Sequence, residues 1–270
     1  MQLGRFRLAV NLSILFTELP LLERFAAART AGFDAVELWW PFASAVPGDG
    51  EVDELLDAIG SAGVDLVSLN LFAGDMPAGD RGIASWPGRE SEVRDNAAAV
   101  VEIARRTGCR RFNGLYGARR DGVTAGQQDE LAVANLAAAA EALAAIGGVL
   151  LIESLTEGEN GAYPLRTAAD AAGVVERIGA GNVAVLLDTY HLTRNGDDLL
   201  GVIDSYAGRI GHVQIADSPG RGQPGTGGID FVPVLEALAE HGYDGLLSCE
   251  YRPQGPSAGS FDWITTIGAA

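Results

Sequence analysis

Positive charge is scarce in this chain: 19 Lys and Arg stand against 36 Asp and Glu, for a formal net charge of -17. So acidic a surface repels polyanions, which disfavours a nucleic-acid duplex or an anionic membrane as a partner. Histidine is scarce as well, at three residues, too few for a histidine-rich multinuclear metal centre. The only cysteines, Cys109 and Cys249, form no CxxC pair, and they read as reduced thiols packed in strands as small hydrophobes. No apolar run approaches the roughly 18 residues of a membrane span, and the start MQLGRFRLAV lacks the apolar core of a signal peptide. A soluble, cytoplasmic protein is expected. No Pro/Ser-rich linker or shift in composition divides the chain, so residues 1–270 are expected to form a single domain.

What is present is a large apolar fraction in a repeating order. With 270 residues, 47% of them hydrophobic, the chain can bury a large core, and its length suits two ordinary domains or one α/β barrel. AGFDAVEL, AGVDLVSL and HGYDGLLS each fit a helix closed by a glycine, a short turn and a strand. TGCRRFNGL, IGGVLLIES, GNVAVLLD and AGRIGHVQIAD vary the theme, and FRLAVN near the start completes eight strand candidates. They begin near residues 6, 33, 65, 110, 149, 183, 211 and 245, with helical spacing between them. Eight alternations predict a single (β/α)8 TIM barrel. The irregular stretches NLFAGDMPAGDRGIASWPGRE and GQPGTGG both follow strands, which puts them on the active-site face. The ending FDWITTIGAA is short for an eighth helix, so closure there is expected to be incomplete or helped by a partner subunit in a homo-oligomer.

The stretch VAVLLDTYHL runs through β-branched and leucine residues to Asp188 and His191. Strands of this composition are buried on both faces, and in α/β folds ligands bind beyond the carboxyl ends of the strands. Neighbouring strands finish alike: GVLLIES reaches Glu153, HVQIAD carries Gln214 and LLSCEY reaches Glu250. A barrel gathers these ends around one mouth, where three carboxylates and an amide oxygen could converge on a cation. Oxygen ligation of that charge favours a hard divalent ion, Mg2+ or Mn2+, over Zn2+. A lone strand-end acid such as Asp188 is commonly a helix cap or a turn former. Glu153 and Glu250, however, follow VLLI and LLSC, where an unpaired charge would be costly to bury. His191 reads either as a packed residue at a helix start or as a substrate contact, His212 and His241 as structural or exposed, and Asp217 as a loop cap. GRGQPG matches GxGxxG in letters, but its proline and the following TGG open no helix at the right place, so no dinucleotide site is expected. Arg221 within it is a cation on the acidic side of the barrel.

Nearly end to end, the chain resembles the hydroxypyruvate isomerase family, within the xylose-isomerase-like barrels that also include ketose 3-epimerases. The resemblance is carried by NLSILFTELPLLERFAAARTAGFDAVELWWP, the loop after Asn70, IES, LLDTYHL, HVQIADSPGRGQP and CEYRPQG. It implies metal binding by Glu153, Asp188, Gln214 and Glu250, with the two glutamates also doing acid–base work. It further implies substrate contacts from His191 and Arg221, with Glu159 matching another such position. Gln223, Gly228 and Arg252 depart from the family pattern at the rim of the pocket and leave the metal set untouched. The expected activity is metal-dependent interconversion of hydroxypyruvate and tartronate semialdehyde through an enediolate, Arg221 holding the substrate carboxylate. The alternatives are a 2-oxo-tetronate isomerase or ketose 3-epimerase on the same site, an endonuclease-IV-like nuclease, and a non-catalytic sugar-acid binder.

Overall fold

The computed structural model of the chain describes residues 1–268. Eight strands, β1 (Phe6–Asn11), β2 (Ala35–Leu38), β3 (Asp65–Asn70), β4 (Arg111–Asn113), β5 (Val149–Glu153), β6 (Val183–Asp188), β7 (Ile210–Ile215) and β8 (Leu247–Cys249), pair in parallel with their neighbours. β8 pairs in turn with β1 through Leu8 with Leu247, Ala9 with Ser248 and Val10 with Cys249, so the sheet closes into the (β/α)8 barrel expected from the sequence. The expected starts near 33 and 245 fall two residues early. Phe33 and Tyr243 still belong to the preceding helix ends, their N–H groups bonding to the carbonyls of Ala28 and Leu238.

The helices follow from local chemistry. α1 (Leu21–Thr30), α2 (Asp49–Ala62) and α3 (Glu90–Thr107) follow β1, β2 and β3 in turn, with α1 packed on α2. α4 (Ala125–Ala144) is alanine-rich and opens with a capping box, the Thr124 hydroxyl accepting from the Gln127 N–H while the Gln127 side chain accepts from the Thr124 N–H. α5 (Ala168–Ile178) repeats that device with Thr167 and Asp170. A short α6 (Thr189–Asn195) and α7 (Leu199–Tyr206) lie between β6 and β7, and α8 (Phe231–Glu240) follows β7. The core is continuous, with Leu8, Val10, Phe112, Leu150 and Leu187 fully buried. Each such side chain contributes roughly 1.5–3 kcal/mol by leaving water.

Two features at the ends differ from expectation. Residues Gln2–Leu3 add a short strand antiparallel to the start of β1, turned back by Gly4 at φ 56. At the other end, α9 (Trp263–Gly268) is as short as the sequence implied, yet the barrel does not need it for closure. The pairing of β8 with β1 closes the sheet within this chain, so the expectation of incomplete or partner-assisted closure is corrected. The last two residues of that segment, Ala269 and Ala270, lie outside the described residues. No helix among the described residues is long and apolar enough to cross a membrane.

One register shift matters for the site. Between β6 and β7 the pairing skips Gly211, taking Val185 to Ile210 and Leu186 to His212. A Cβ at Gly211 would lie 2.7 Å from that of Ala184 and 2.8 Å from Leu151 Cδ2, so only glycine lets the strands approach there. Beyond this point His212 and Gln214 share one face of β7 and are both buried.

Candidate metal centre and active site

Every barrel strand carries a carboxylate or an amide within one residue of its C-terminal end: Asn11, Glu37, Asn70, Asn113, Glu153, Asp188, Gln214 and Glu250 in turn, all buried. Sequence reasoning singled out the four on β5 to β8 and missed the four on β1 to β4. The same signal was present in FRLAVN, AVEL, VSLN and RFN, each an apolar segment carrying a polar residue at or beside its end.

The acidic half converges. Arg221 Nη2 donates to Glu250 Oε2 at 2.5 Å and reaches Asp188 Oδ2 at 3.4 Å, so one nitrogen bridges two of the expected ligands. His191 Nε2 stands 3.7 Å from that same Asp188 oxygen and 3.9 Å from Glu153 Oε1. Glu153, Asp188 and His191 thus form a buried group with ligand atoms within 4.8 Å of one another, close enough to share a metal ion. Asp188 is the helix cap that its sequence position allowed, and it also joins the carboxylate cluster. Its Oδ1 caps α6, accepting from the N–H groups of Tyr190 and His191 at 2.7 and 3.2 Å, which leaves Oδ2 for the site.

The amide half supports the acids. Asn113 donates to Glu153 Oε2 at 2.5 Å, while Glu250 Oε1 accepts from Asn11 at 2.8 Å, from the Trp39 indole at 2.7 Å and from Gln214 at 3.2 Å. Beneath them Glu37 accepts from Asn11 and Gln214 and pairs with His212 Nε2 at 2.5 Å. His212 is therefore structural, as expected, and is fully buried. Burial works to raise the Glu37 carboxyl, yet the His212 contact and the amide donors overcome it and hold the carboxyl below its ordinary range.

The acidic half is not compensated in this way. Burial, and next the charge of Asp188, push the Glu153 carboxyl up to about 8. Burial raises Asp188 against the pull of Arg221 and of the α6 N–H groups, and raises Glu250 well above the usual carboxylate range, again against Arg221. Ionised, three carboxylates against the single guanidinium leave two negative charges in a dry site, the charge a divalent cation would match. The Gln214 amide N–H groups serve Glu37 and Glu250, and its Oε1 is buried with no partner. An orphaned carbonyl of that kind costs about 1–3 kcal/mol. The donor set therefore fits a hard divalent ion.

His191 has a defined tautomer. The backbone N–H of Thr156 donates to Nδ1 at 3.0 Å, so Nδ1 carries the lone pair and the neutral ring bears its proton on Nε2. Burial, followed by the charges of Arg221 and Arg81, pushes its pKa well below the ordinary histidine value, which keeps it neutral. Nε2 is therefore an N–H donor facing the carboxylates.

The remaining expected residues lie around a cavity of about 830 Å³ above the cluster, lined by Glu153, His191, Glu250, Arg221, Glu159 and Trp39 among others. Glu159 sits at its rim, where it accepts from the Tyr190 hydroxyl at 2.7 Å. The Tyr190 ring packs 5.3 Å from the Arg221 guanidinium carbon. The Arg221 backbone has φ 54, a left-handed conformation rare for a non-glycine residue. Asp217 is the loop cap expected of it, accepting from the N–H groups of Ser218, Gly225, Gly227 and Ile229. His241 ends α8 near Asp204, away from the cluster. Of the three departures, Gln223 uses its side chain, accepting from the Gln254 N–H, whereas Gly228 and Arg252 bond through their backbone N–H groups to the carbonyls of Ser218 and Arg221. Both cysteines are free and buried, as expected.

The model of the xylose isomerase-like TIM barrel matches residues 25–267. The chain belongs to that family. Among its relatives, a Streptomyces coelicolor protein named provisionally as a hydroxypyruvate isomerase is 53% identical, the match covering 96% of this chain and 95% of that one. The Escherichia coli hydroxypyruvate isomerase is 35% identical over 96% of this chain and 98% of its own. A Haemophilus influenzae 2-oxo-tetronate isomerase is 31% identical with the same coverage. Within the xylose isomerase-like family, the chain thus belongs with the hydroxypyruvate isomerase group. A Brucella melitensis crystal structure described as an AP endonuclease of family 2 superposes with a TM-score of 0.89 at 34% identity, covering 97% of this chain and 98% of that one.

Proposed function

We propose that the protein is a metal-dependent isomerase interconverting hydroxypyruvate and tartronate semialdehyde, or a four-carbon 2-oxo homologue. The observation that carries this reading is the ring of Glu153, Asp188, Gln214 and Glu250, two charges short of neutrality and with the Gln214 carbonyl unpartnered. These four residues would hold Mg2+ or Mn2+, whose positive charge stabilises negative charge developing on neighbouring substrate oxygens. Glu153 Oε1, the carboxylate oxygen of that residue with no hydrogen-bond donor of its own, takes a proton from the hydroxymethyl carbon. The released electron pair forms the carbon–carbon double bond of an enediolate. Glu250 returns a proton to the former carbonyl carbon, and the hydroxyl proton passes to the former carbonyl oxygen, so no atom is gained or lost. His191 Nε2–H donates to a substrate oxygen and fixes which carbon faces Glu153. Arg221 lends charge to the substrate side of the site, although its Nη2 is already engaged by Glu250 and Asp188.

A substrate panel tests this reading: hydroxypyruvate, 2-oxo-tetronates and free ketoses, each with Mg2+ or Mn2+ and after chelation. Metal-dependent turnover of the oxo acids is the expected result. Turnover of ketoses alone would replace it with an epimerase, and cleavage of abasic DNA in place of isomerisation would replace it with the nuclease reading.

A further inference from the structure

All 19 basic residues of the chain are arginines, and four of them, Arg24, Arg81, Arg221 and Arg252, line the cavity above the carboxylates. Their commitments differ. Arg221 is paired with Glu250 and Asp188, and Arg252 is exposed. Arg24 is tied to the loop after β1 through the carbonyls of Leu12 and Leu19. Arg81 comes from the long loop between β3 and α3 and is half-buried. Its Nε donates to Asn160 Oδ1 at 2.9 Å, and its Nη1 to the carbonyls of Asp80 and Met76 at 2.7 and 3.2 Å. All three acceptors are neutral. Among the described residues no carboxylate lies within 4.0 Å of this guanidinium, although the chain holds 36 acids. Its Nη2 has no acceptor among the same residues.

The position is fixed from two sides. Asn160 donates to the Thr156 carbonyl at 3.1 Å, and the Thr156 N–H holds His191 Nδ1, so three hydrogen bonds connect Arg81 to the ring that faces Glu153. Gly82, the next residue, has φ 95 and abuts the Leu115 carbonyl, where a Cβ would come within 2.2 Å of the oxygen. The loop cannot lift at this point without breaking that contact. Burial, and then the charge of Arg221, pull the Arg81 pKa down, against the charge of the neighbouring Asp80. With no ion-pair partner and a free Nη2, this guanidinium is available to an anion entering the cavity, and a guanidinium edge matches a carboxylate in both charge and shape.

We infer that Arg81 receives the carboxylate of the substrate, so that a 2-oxo acid lies with its anionic end at Arg81 and its reacting carbons at Glu153. The inference rests on the isomerase reading for its substrate class. It also resolves a difficulty in that reading, since Arg221 has no complete fork to offer. Arg81 is thereby a specificity residue for oxo acids over neutral ketoses.

The test uses the Mn2+-loaded protein and two pairs of molecules that differ in the carboxylate: hydroxypyruvate against dihydroxyacetone for turnover, and glycerate against glycerol for calorimetric binding. Arg81→Met is expected to raise the KM for hydroxypyruvate and weaken glycerate by about 30-fold or more, with dihydroxyacetone turnover changed by less than about threefold. Arg81→Lys, which keeps the charge and loses the fork, is expected to weaken glycerate by about tenfold, and it serves if the methionine variant folds poorly. Unchanged glycerate affinity in either variant overturns the inference. So do equal losses on hydroxypyruvate and dihydroxyacetone, which would mark Arg81 as a loop brace, and a loss found in Arg24→Met in place of Arg81→Met. Wild-type protein that binds glycerate through Arg81 but isomerises neither substrate would support the carboxylate site while removing the isomerase reading.

Discussion

The two halves of the barrel mouth use the same strand-end position for opposite purposes. On β5 to β8 it holds three carboxylates and one amide, with one arginine against three acids and a carbonyl left without a partner. On β1 to β4 it holds three amides and a single acid, Glu37, whose charge is met by His212, Asn11 and Gln214. The first half carries excess negative charge and the second does not, although the Oδ1 atoms of Asn70 and Asn113 are, like Gln214 Oε1, buried without a partner. Two amides of the second half, Asn11 and Asn113, donate across to Glu250 and Glu153. The amides of one arc thus orient the carboxylates of the other, as outer partners do for metal ligands.

Substitutions should separate the halves. The largest effect is expected at Glu153→Gln, which keeps a ligating oxygen and removes the proton acceptor: kcat should fall by about 100- to 10,000-fold while Mn2+ still binds. A near wild-type rate would make Glu153 a ligand only. Next, Glu37→Gln breaks a buried pair and should lower unfolding stability by about 3–5 kcal/mol in denaturant titration, with a much smaller fall in kcat for the molecules that remain folded. A large loss of kcat without loss of stability would move Glu37 into the reactive arc. Asn113→Ala, which removes the donor to Glu153, should weaken Mn2+ binding or turnover by about 10- to 100-fold.

The smallest effect is one of pH. In the metal-free protein Glu153 holds its proton more tightly than in the unfolded chain, because burial and Asp188 push its pKa up to about 8. Its contribution to stability is present below the ordinary carboxylate range and is lost as pH rises toward that value. A cation displacing the proton offsets this loss, so the gain in Tm on adding Mn2+ should grow between about pH 6 and about pH 8. A gain independent of pH would mean that Glu153 does not meet the cation.

The acidic half was legible because a charge following VLLI or LLSC has no innocuous explanation. The amide half was not, since an asparagine ending a strand equally suits a turn, and its role depends on a partner supplied by closure: Asn11 and Glu250 are 239 residues apart in the chain. Glu37 was passed over inside AVELWW although the same reasoning applied to it. Asp188 shows why a cap reading and a site reading need not compete, as its two oxygens take one role each. Arg221 was identified from its sign, but no sequence pattern could reveal that its Nη2 is taken by Asp188 and Glu250. Arg81 lay in a loop whose path only the fold defines.

The central claim, that the β5–β8 arc is a site for a divalent cation, is tested most directly by the anomalous scattering of Mn2+ in crystals of the protein. The account expects one strong peak within about 2.0–2.6 Å of oxygens from Glu153, Asp188, Gln214 and Glu250, with Arg221 withdrawn from Asp188 and His191 Nε2 uncoordinated. A peak ligated by His191 Nε2 with Gln214 and Glu250 left out, or no peak at the barrel mouth at saturating Mn2+, would contradict it.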